Sequence, residues 1–169
     1  MSEGSGSVTA DPARPLSGSH GDVAVQRVAV SLDPASPGTV TVTHAEVIVP
    51  IAAFRQLVAT AANRTGLNAT GSLGQDQIGV AVSVSLLRLT VTFSPSISNG
   101  LLMLQPRSGV PGWVIGRAAS LIGRTAGLSM SSDGRVTVDP VAFLPPRIRL
   151  RTGFRSFQVL PDRIEMTLG

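Results

Sequence analysis

The sequence predicts an α+β protein, a long, curved antiparallel sheet wrapped on two helices, and three observations carry that prediction. Apolar residues alternate with polar ones at period two through most of 26–49, 78–93 and 136–168, as strands with one buried face do. Two other segments repeat apolar residues at helical spacing, and each opens on a proline, Pro50 and Pro111. Clusters of Gly, Pro, Asp and Ser separate the runs, so consecutive strands are expected to be antiparallel neighbours.

The elements follow in order. Residues 1–22, MSEGSGSVTADPARPLSGSHGD, hold almost nothing to bury and read as a flexible tail, leaving 23–169 as a single α+β domain. In 26–32 the alternation of Val28, Val30 and Leu32 predicts a strand, DPASPG at 33–38 a turn, and 39–49 the second arm of a hairpin. Ile51, Phe54, Leu57, Val58 and Ala61 form the stripe of a first helix that Gly66 stops.

Segment 78–93, IGVAVSVSLLRLTVTF, places Ile78, Val80, Val82, Val84 and Leu86 on one face; Leu87, Leu89, Val91 and Phe93 continue the series one residue out of phase. The slip predicts a β-bulge within one strand of roughly 53 Å. Two shorter strands joined at the slip are the alternative. PSISNG is a turn and LLMLQP a short strand.

From Pro111 a second helix is expected, with Ile115, Ala119, Ile122 and Ala126 on one face and Arg117 and Arg124 together on another. Gly116 and Gly123 inside it each cost about 1 kcal/mol relative to Ala, which predicts close packing there. Residues 129–169 return to strands, the last with Ile164, Met166 and Leu168 facing one way. The expected order is ββ-α-ββ-α-ββββ.

At 169 residues the chain fits one domain. A chain of that size buries roughly 70% of its unfolded surface, enough for a sizeable core. Hydrophobic residues are 43% and the mean hydropathy is +0.29, which argues against general disorder. The absence of cysteine excludes disulfides, thiolate metal sites and a cysteine nucleophile. All 14 basic residues are arginine. Residues 1–76 hold four Arg against six acids, whereas 77–169 hold ten against four, so the C-terminal half, at +6, should attract anionic partners. No uninterrupted apolar stretch approaches the roughly 20 residues of a spanning helix. No apolar signal segment is visible either, so a cytoplasmic location or the inner membrane surface is expected rather than export.

Catalytic motifs are missing. There is no G-x-S-x-G, P-loop or G-x-G-x-x-G, nor histidines at metal spacing. His44 and Glu46 share a strand face but have no visible nucleophile beside them. Asp133, Asp139 and Asp162 sit beside Gly or Pro, where turns recruit Asp. No enzyme activity, cofactor or metal is expected. Nucleic acid is not favoured as a partner, because aromatic residues are only 4% and the one stacking hint is Phe154 and Phe157 around Arg155.

Two features point to lipid. Aliphatic side chains dominate the strands and both helices, and a groove lined by them suits acyl chains. In PPRIRLRTGFRSF, 145–157, Arg147, Arg149 and Arg151 alternate on one strand face and are the candidate contacts for anionic headgroups. The competing reading of that row is a solvated face that discourages edge pairing. The groove candidates are Val82, Val84, Phe93, Leu101, Leu102, Met103, Trp113, Ile115 and Ile122.

THAEVIVPIAAFRQLVATAANRTG, the run 78–93, SSDGRVTVDPVAFLPPRIRL and the closing VLPDRIEMTLG together resemble a bacterial single-module member of the tubular lipid-binding superfamily. The resemblance spans about residues 40–169. It implies long curved strands wrapped on helices with a lipid groove between them. Phospholipid or fatty acid would be the ligand, an anionic membrane a peripheral partner, and a homodimer the way to complete a tube. The rival readings are a structural subunit of a homo-oligomer and a nucleic-acid binder acting through the basic C-terminal half.

Overall fold

The structure is a computed structural model. It describes residues 8–10, 23–32, 36–64, 66–84 and 86–169, with the backbone alone described for 8–10, 84 and 121. In chain order the elements are β1 (Val8–Ala10), β2 (Ala24–Leu32), β3 (Val40–Pro50), α1 (Ile51–Asn63), β4 (Asn68–Gly74), β5 (Gln77–Val84), β6 (Leu87–Ser98) and β7 (Leu101–Pro106). They continue with α2 (Gly112–Ile122), β8 (Leu128–Met130), β9 (Val136–Val138), a 3-10 turn (Pro140–Phe143), β10 (Ile148–Leu150), β11 (Phe154–Val159) and β12 (Arg163–Leu168). The predicted tail otherwise lies outside the described residues, as does part of the turn at 33–38; β1, within that tail, pairs antiparallel with β2.

The α+β class is as predicted, and the strands divide between two six-stranded sheets. Sheet A runs β1-β2-β3-β12-β11 with β10 attached to β3; sheet B runs β4-β5-β6-β7-β9-β8. Among the described residues all pairings are antiparallel except β10 with β3, where Ile148 lies beside Val40 and Leu150 beside Val42. That parallel pair departs from the consecutive antiparallel strands expected of 145–168.

The run 78–93 is two shorter strands joined at the slip, the alternative reading, and they pair as a hairpin in place of one bulged strand. Val84 pairs with Leu87, so the phase slip is where the chain reverses. Reversal puts Ile78, Val80 and Val82 opposite Phe93, Val91 and Leu89, on one face. Register irregularities fall elsewhere, in β2 and between Phe154 and Ser156 of β11. The latter lets Phe154 and Phe157, three residues apart, meet edge to face at 6.3 Å, with Phe154 buried and Phe157 packed against the core. They are not open stacking platforms. Strand β4, NATGSLG, is absent from the sequence reading because its composition lacks apolar alternation.

The helix faces are only partly those expected. In α1 Ala53 and Ala62 are the buried residues and Leu57 is 51% exposed. In α2 Val114 is buried, Trp113 is 45% exposed and Ala119 is exposed. That helix ends at Ile122, so Arg124 and Ala126 lie beyond it. Gly116 faces open space, so the expected close packing does not occur there.

Three close approaches fix the assembly. The core cluster of Val49, Ala53, Ile78, Val159 and Ile164 joins both sheets to α1. Asn99 and Gly100, at φ 51° and 76°, make the two-residue turn between β6 and β7. Asn-Gly is the preferred pair for such a turn. The carbonyl of Gly100 then accepts from Phe154 N at 2.8 Å, tying sheet B to sheet A. Finally α1 lies directly on β4: a β-carbon built on Gly71 would meet Phe54 Cε1 at 2.5 Å and Val58 Cγ2 at 3.1 Å. Arg55 Nε donates to the Gly71 carbonyl at 3.3 Å across the same contact.

Gly71→Val should therefore push α1 off the sheet. Overpacking of this kind costs about 1–3 kcal/mol, and a urea titration will register it as a lower midpoint at unchanged slope.

Candidate functional site

Sheet B presents one apolar face to the helices. Period-two alternation places Val80 and Val82 of β5, Val91 and Phe93 of β6, Leu104 of β7 and Val136 of β9 on it. The two helices cover the two edges of this face. Helix α1 packs on β4 at one edge, and α2 packs chiefly on β8 at the other. The centre of the sheet is left roofed without being filled.

The result is a half-open apolar cavity of about 270 Å³. Its floor is formed by β5, β6, β7, β8 and β9; its roof is Phe54 and Val58 from α1 with Val114, Ala118 and Ile122 from α2. Every side chain lining it is apolar. Toward one end Ile78, Phe93 and Leu104 also belong to, or pack against, the core shared with sheet A. A second space of about 270 Å³ lies between the helices, bounded by Leu57, Ala61 and Arg64 of α1 and its C-cap, and by Ile122, Thr125 and Leu128. Gln56 and Thr60 complete its wall, and Ile122 borders both spaces.

Of the groove residues expected from sequence, Val82, Phe93 and Ile122 line the apolar cavity. Leu102 is buried at 4% exposure but lies off its wall. Leu101 and Met103 alternate with Leu102 and are paired with Ser98 and Ser96, on the other face of β7. Ile115 is half-buried and off the cavity, because the inward row of α2 is Val114, Ala118 and Ile122. Trp113 is exposed, and the side chain of Val84 lies outside the described residues. The missed lining residues Val80, Val91 and Val136 follow from the alternation once 78–93 is read as a hairpin. Phe54 and Val58 were in the predicted helix stripe, and only their destination was hidden.

Arg147, Arg149 and Arg151 are all exposed, with Arg149 on β10 and the other two flanking it. They belong to sheet A and do not border the apolar cavity. Among the described strands β10 pairs with β3 alone, so its other side is an edge. Fixed charge on such an edge opposes pairing with another chain. The exposed apolar residues lie elsewhere. Leu86 and Leu87, at the tip of the β5–β6 hairpin, are 102% and 71% exposed, and the next residue, Arg88, is exposed as well.

The remaining polar groups have local duties. His44 Nε2 meets Glu46 Oε1 at 3.3 Å, and Arg27 Nη1 reaches the same oxygen at 3.6 Å. Glu46 and Glu165 border a polar cleft of about 410 Å³ on the outer face of sheet A. The Ser131 hydroxyl and the Arg135 backbone N–H hold the Asp133 carboxyl below its ordinary value, as a tight turn requires. Asp139 caps the 3-10 turn by accepting from Val141 N at 2.9 Å. Hydrogen bonds to Glu165 and Asp162 raise the Arg163 guanidinium further above its ordinary value. Among the described residues no group of three His, Asp or Glu is placed to hold a metal ion. Nor is any described helix long and apolar enough to cross a membrane.

No protein-family model matches the chain, and no curated protein or solved structure does so.

Proposed function

We propose that the protein is a non-enzymatic lipid-binding or lipid-carrier module that holds an alkyl chain between sheet B and its two helices. The observation that carries this reading is the wholly apolar cavity of about 270 Å³. Apolar surface left facing water there gains about 25 cal/mol for each Å² that an occupant covers, so an apolar ligand is favoured in it. Water is a poor occupant, because the lining offers it no polar partner. An engineered cavity of about 150 Å³ accepts benzene, so this one has room for about ten carbons. Burying ten methylenes contributes about 8 kcal/mol relative to water. The same burial nearly cancels against a bilayer interior, which is the condition for reversible exchange with a membrane. The resemblance to the tubular lipid-binding superfamily, with its groove between curved strands and helices, agrees with this reading.

A carrier must also meet a bilayer. The site we assign to that contact is the hairpin tip, Leu86 and Leu87 beside Arg88, in place of the arginine row on β10. Adjacent exposed leucines gain from entering the interfacial region, and a neighbouring arginine suits anionic headgroups. A homo-oligomeric subunit is the second reading. Exposed Trp113, Val141 and Phe143 favour it, because a second copy would cover them.

Organic extraction of the purified protein followed by mass spectrometry should recover near-stoichiometric phospholipid or fatty acid. Ala118→Phe, which fills the cavity from α2, should abolish that recovery and raise the thermal midpoint of the lipid-free protein. A lipid-free wild type of oligomeric native mass would sink the carrier reading in favour of the subunit.

Replacing both Leu86 and Leu87 by Ser should weaken co-sedimentation with phosphatidylglycerol vesicles by about tenfold, for partial burial of two leucines. Circular dichroism should be unchanged. Triple Arg147→Gln, Arg149→Gln and Arg151→Gln should alter vesicle binding much less.

A further inference from the structure

The apolar cavity has no polar atom to receive a headgroup, so an amphiphile seated in it must place its polar end elsewhere. Resting on the carrier reading, we infer that the cleft between α1 and α2 is the headgroup site, that Arg64 is its anion-binding residue, and that the ligand is a single-chain amphiphile with one anionic head.

Three observations converge on this cleft. First, it adjoins the cavity through one shared side chain, Ile122, whereas the arginines on β10 belong to the other sheet. A chain passing Ile122 goes from a wholly apolar lining to one that includes Gln56, Thr60, Arg64 and Thr125. Second, Arg64 is exposed and makes no ion pair with another described residue. A basic residue at a helix C-terminus ordinarily complements the helix dipole. Here two of the last carbonyls already accept backbone N–H groups, Asn63 O from Gly66 N at 3.2 Å and Ala62 O from Leu67 N at 3.1 Å. The guanidinium is left to present its planar fork to a carboxylate or phosphate. Third, strand pairing puts the cleft's cation at the end of sheet B proposed to face the bilayer. Asn68, at the start of β4, pairs with Ser83, which pairs with Arg88 beside the exposed leucine tip. Arg64 precedes Asn68 by only a short connection, so the headgroup site and the membrane contact share one end of the sheet.

The size of the cavity sets the class of chain. About ten carbons fit, which suits one alkyl chain and leaves no room for a second. The head is a single anion, carboxylate or phosphate, and the two differ in source: a free fatty acid or a monoacyl phospholipid.

Isothermal titration of the delipidated full chain with decanoate, decyl phosphate and 1-decanol tests this. The three probes share one chain and differ in the head. In the wild type at least one anion should bind about tenfold more tightly than decanol. Arg64→Gln should bring that anion down to the level of decanol and leave decanol unchanged, while Arg64→Lys keeps part of the preference. Whichever anion loses more identifies the head. If decanol and the anions bind equally, or if Arg64→Gln leaves the preference intact, the headgroup lies elsewhere and this inference falls while the carrier reading stands. If none of the three binds, the carrier reading falls and takes this inference with it.

Discussion

Two short helices have to cover a sheet six strands wide, and the rest of the molecule follows from how they do it. Neighbouring strands lie about 4.8 Å apart, so six span about 24 Å, whereas packed helices cover about 10 Å each. Close packing over the centre would require both helices to sit side by side there. Gly71 prevents that arrangement by drawing α1 onto the edge strand β4, where Phe54 and Val58 occupy the space of the missing β-carbon. Helix α2 is held at the opposite edge by β8. The central strands β5, β6 and β7 are then bridged by side chains from both sides, and apolar space remains beneath them.

Sheet A meets sheet B at the shared core. Its inner face supplies Val49, Val159 and Ile164 to that core, which includes Ile78 of the pocket lining and against which Phe93 packs. Backbone contacts also hold the two sheets together. Gly100 and Gly153 are part of that join, each at positive φ and each so close to the other's neighbourhood that an added β-carbon would collide with backbone. The gap between the helices shares Ile122 with the apolar space, and its lining includes the polar side chains of Gln56, Thr60, Arg64 and Thr125.

The sequence carried the element types well and their partners poorly. The hairpin of β2 and β3, both helices and the strands from 136 onward are legible because each has its own period and its own punctuation. The reversal at Leu86 was harder to read. It contains no Gly, Pro, Asn or Asp, and a tip made of consecutive leucines imitates a bulge inside an apolar strand. Missing that reversal hides the floor of the cavity, since Val80 and Val91 become neighbours only when the strand folds back. Strand β4 was invisible for the opposite reason: NATGSLG is chosen to fit under a helix, and its Gly71 reads as a breaker until α1 is seen on top of it. The α2 face was displaced by one residue because Val114 and Ile115 are equally apolar, and burial is decided by where β8 lies.

The cations show a different limit. A row of arginines at period two is conspicuous in sequence, whereas Arg64 is one basic residue at the end of a helix. Position in the fold reverses their weight. The row is attached to an edge, where fixed charge serves against pairing with other chains whatever else it meets. Arg64 stands where a wholly apolar space gives way to a mixed one. On the proposed reading, a guanidinium at such a boundary would act on a ligand that has both characters, because the apolar chain would determine how far the anion could travel. The affinity for the head would then be tied to the depth of the apolar space, and a chain too short to reach past Ile122 would forfeit most of its burial to keep its ion pair. Selection by chain length and selection by head charge would then be one property of the same pair of spaces, set by the separation of the two helices.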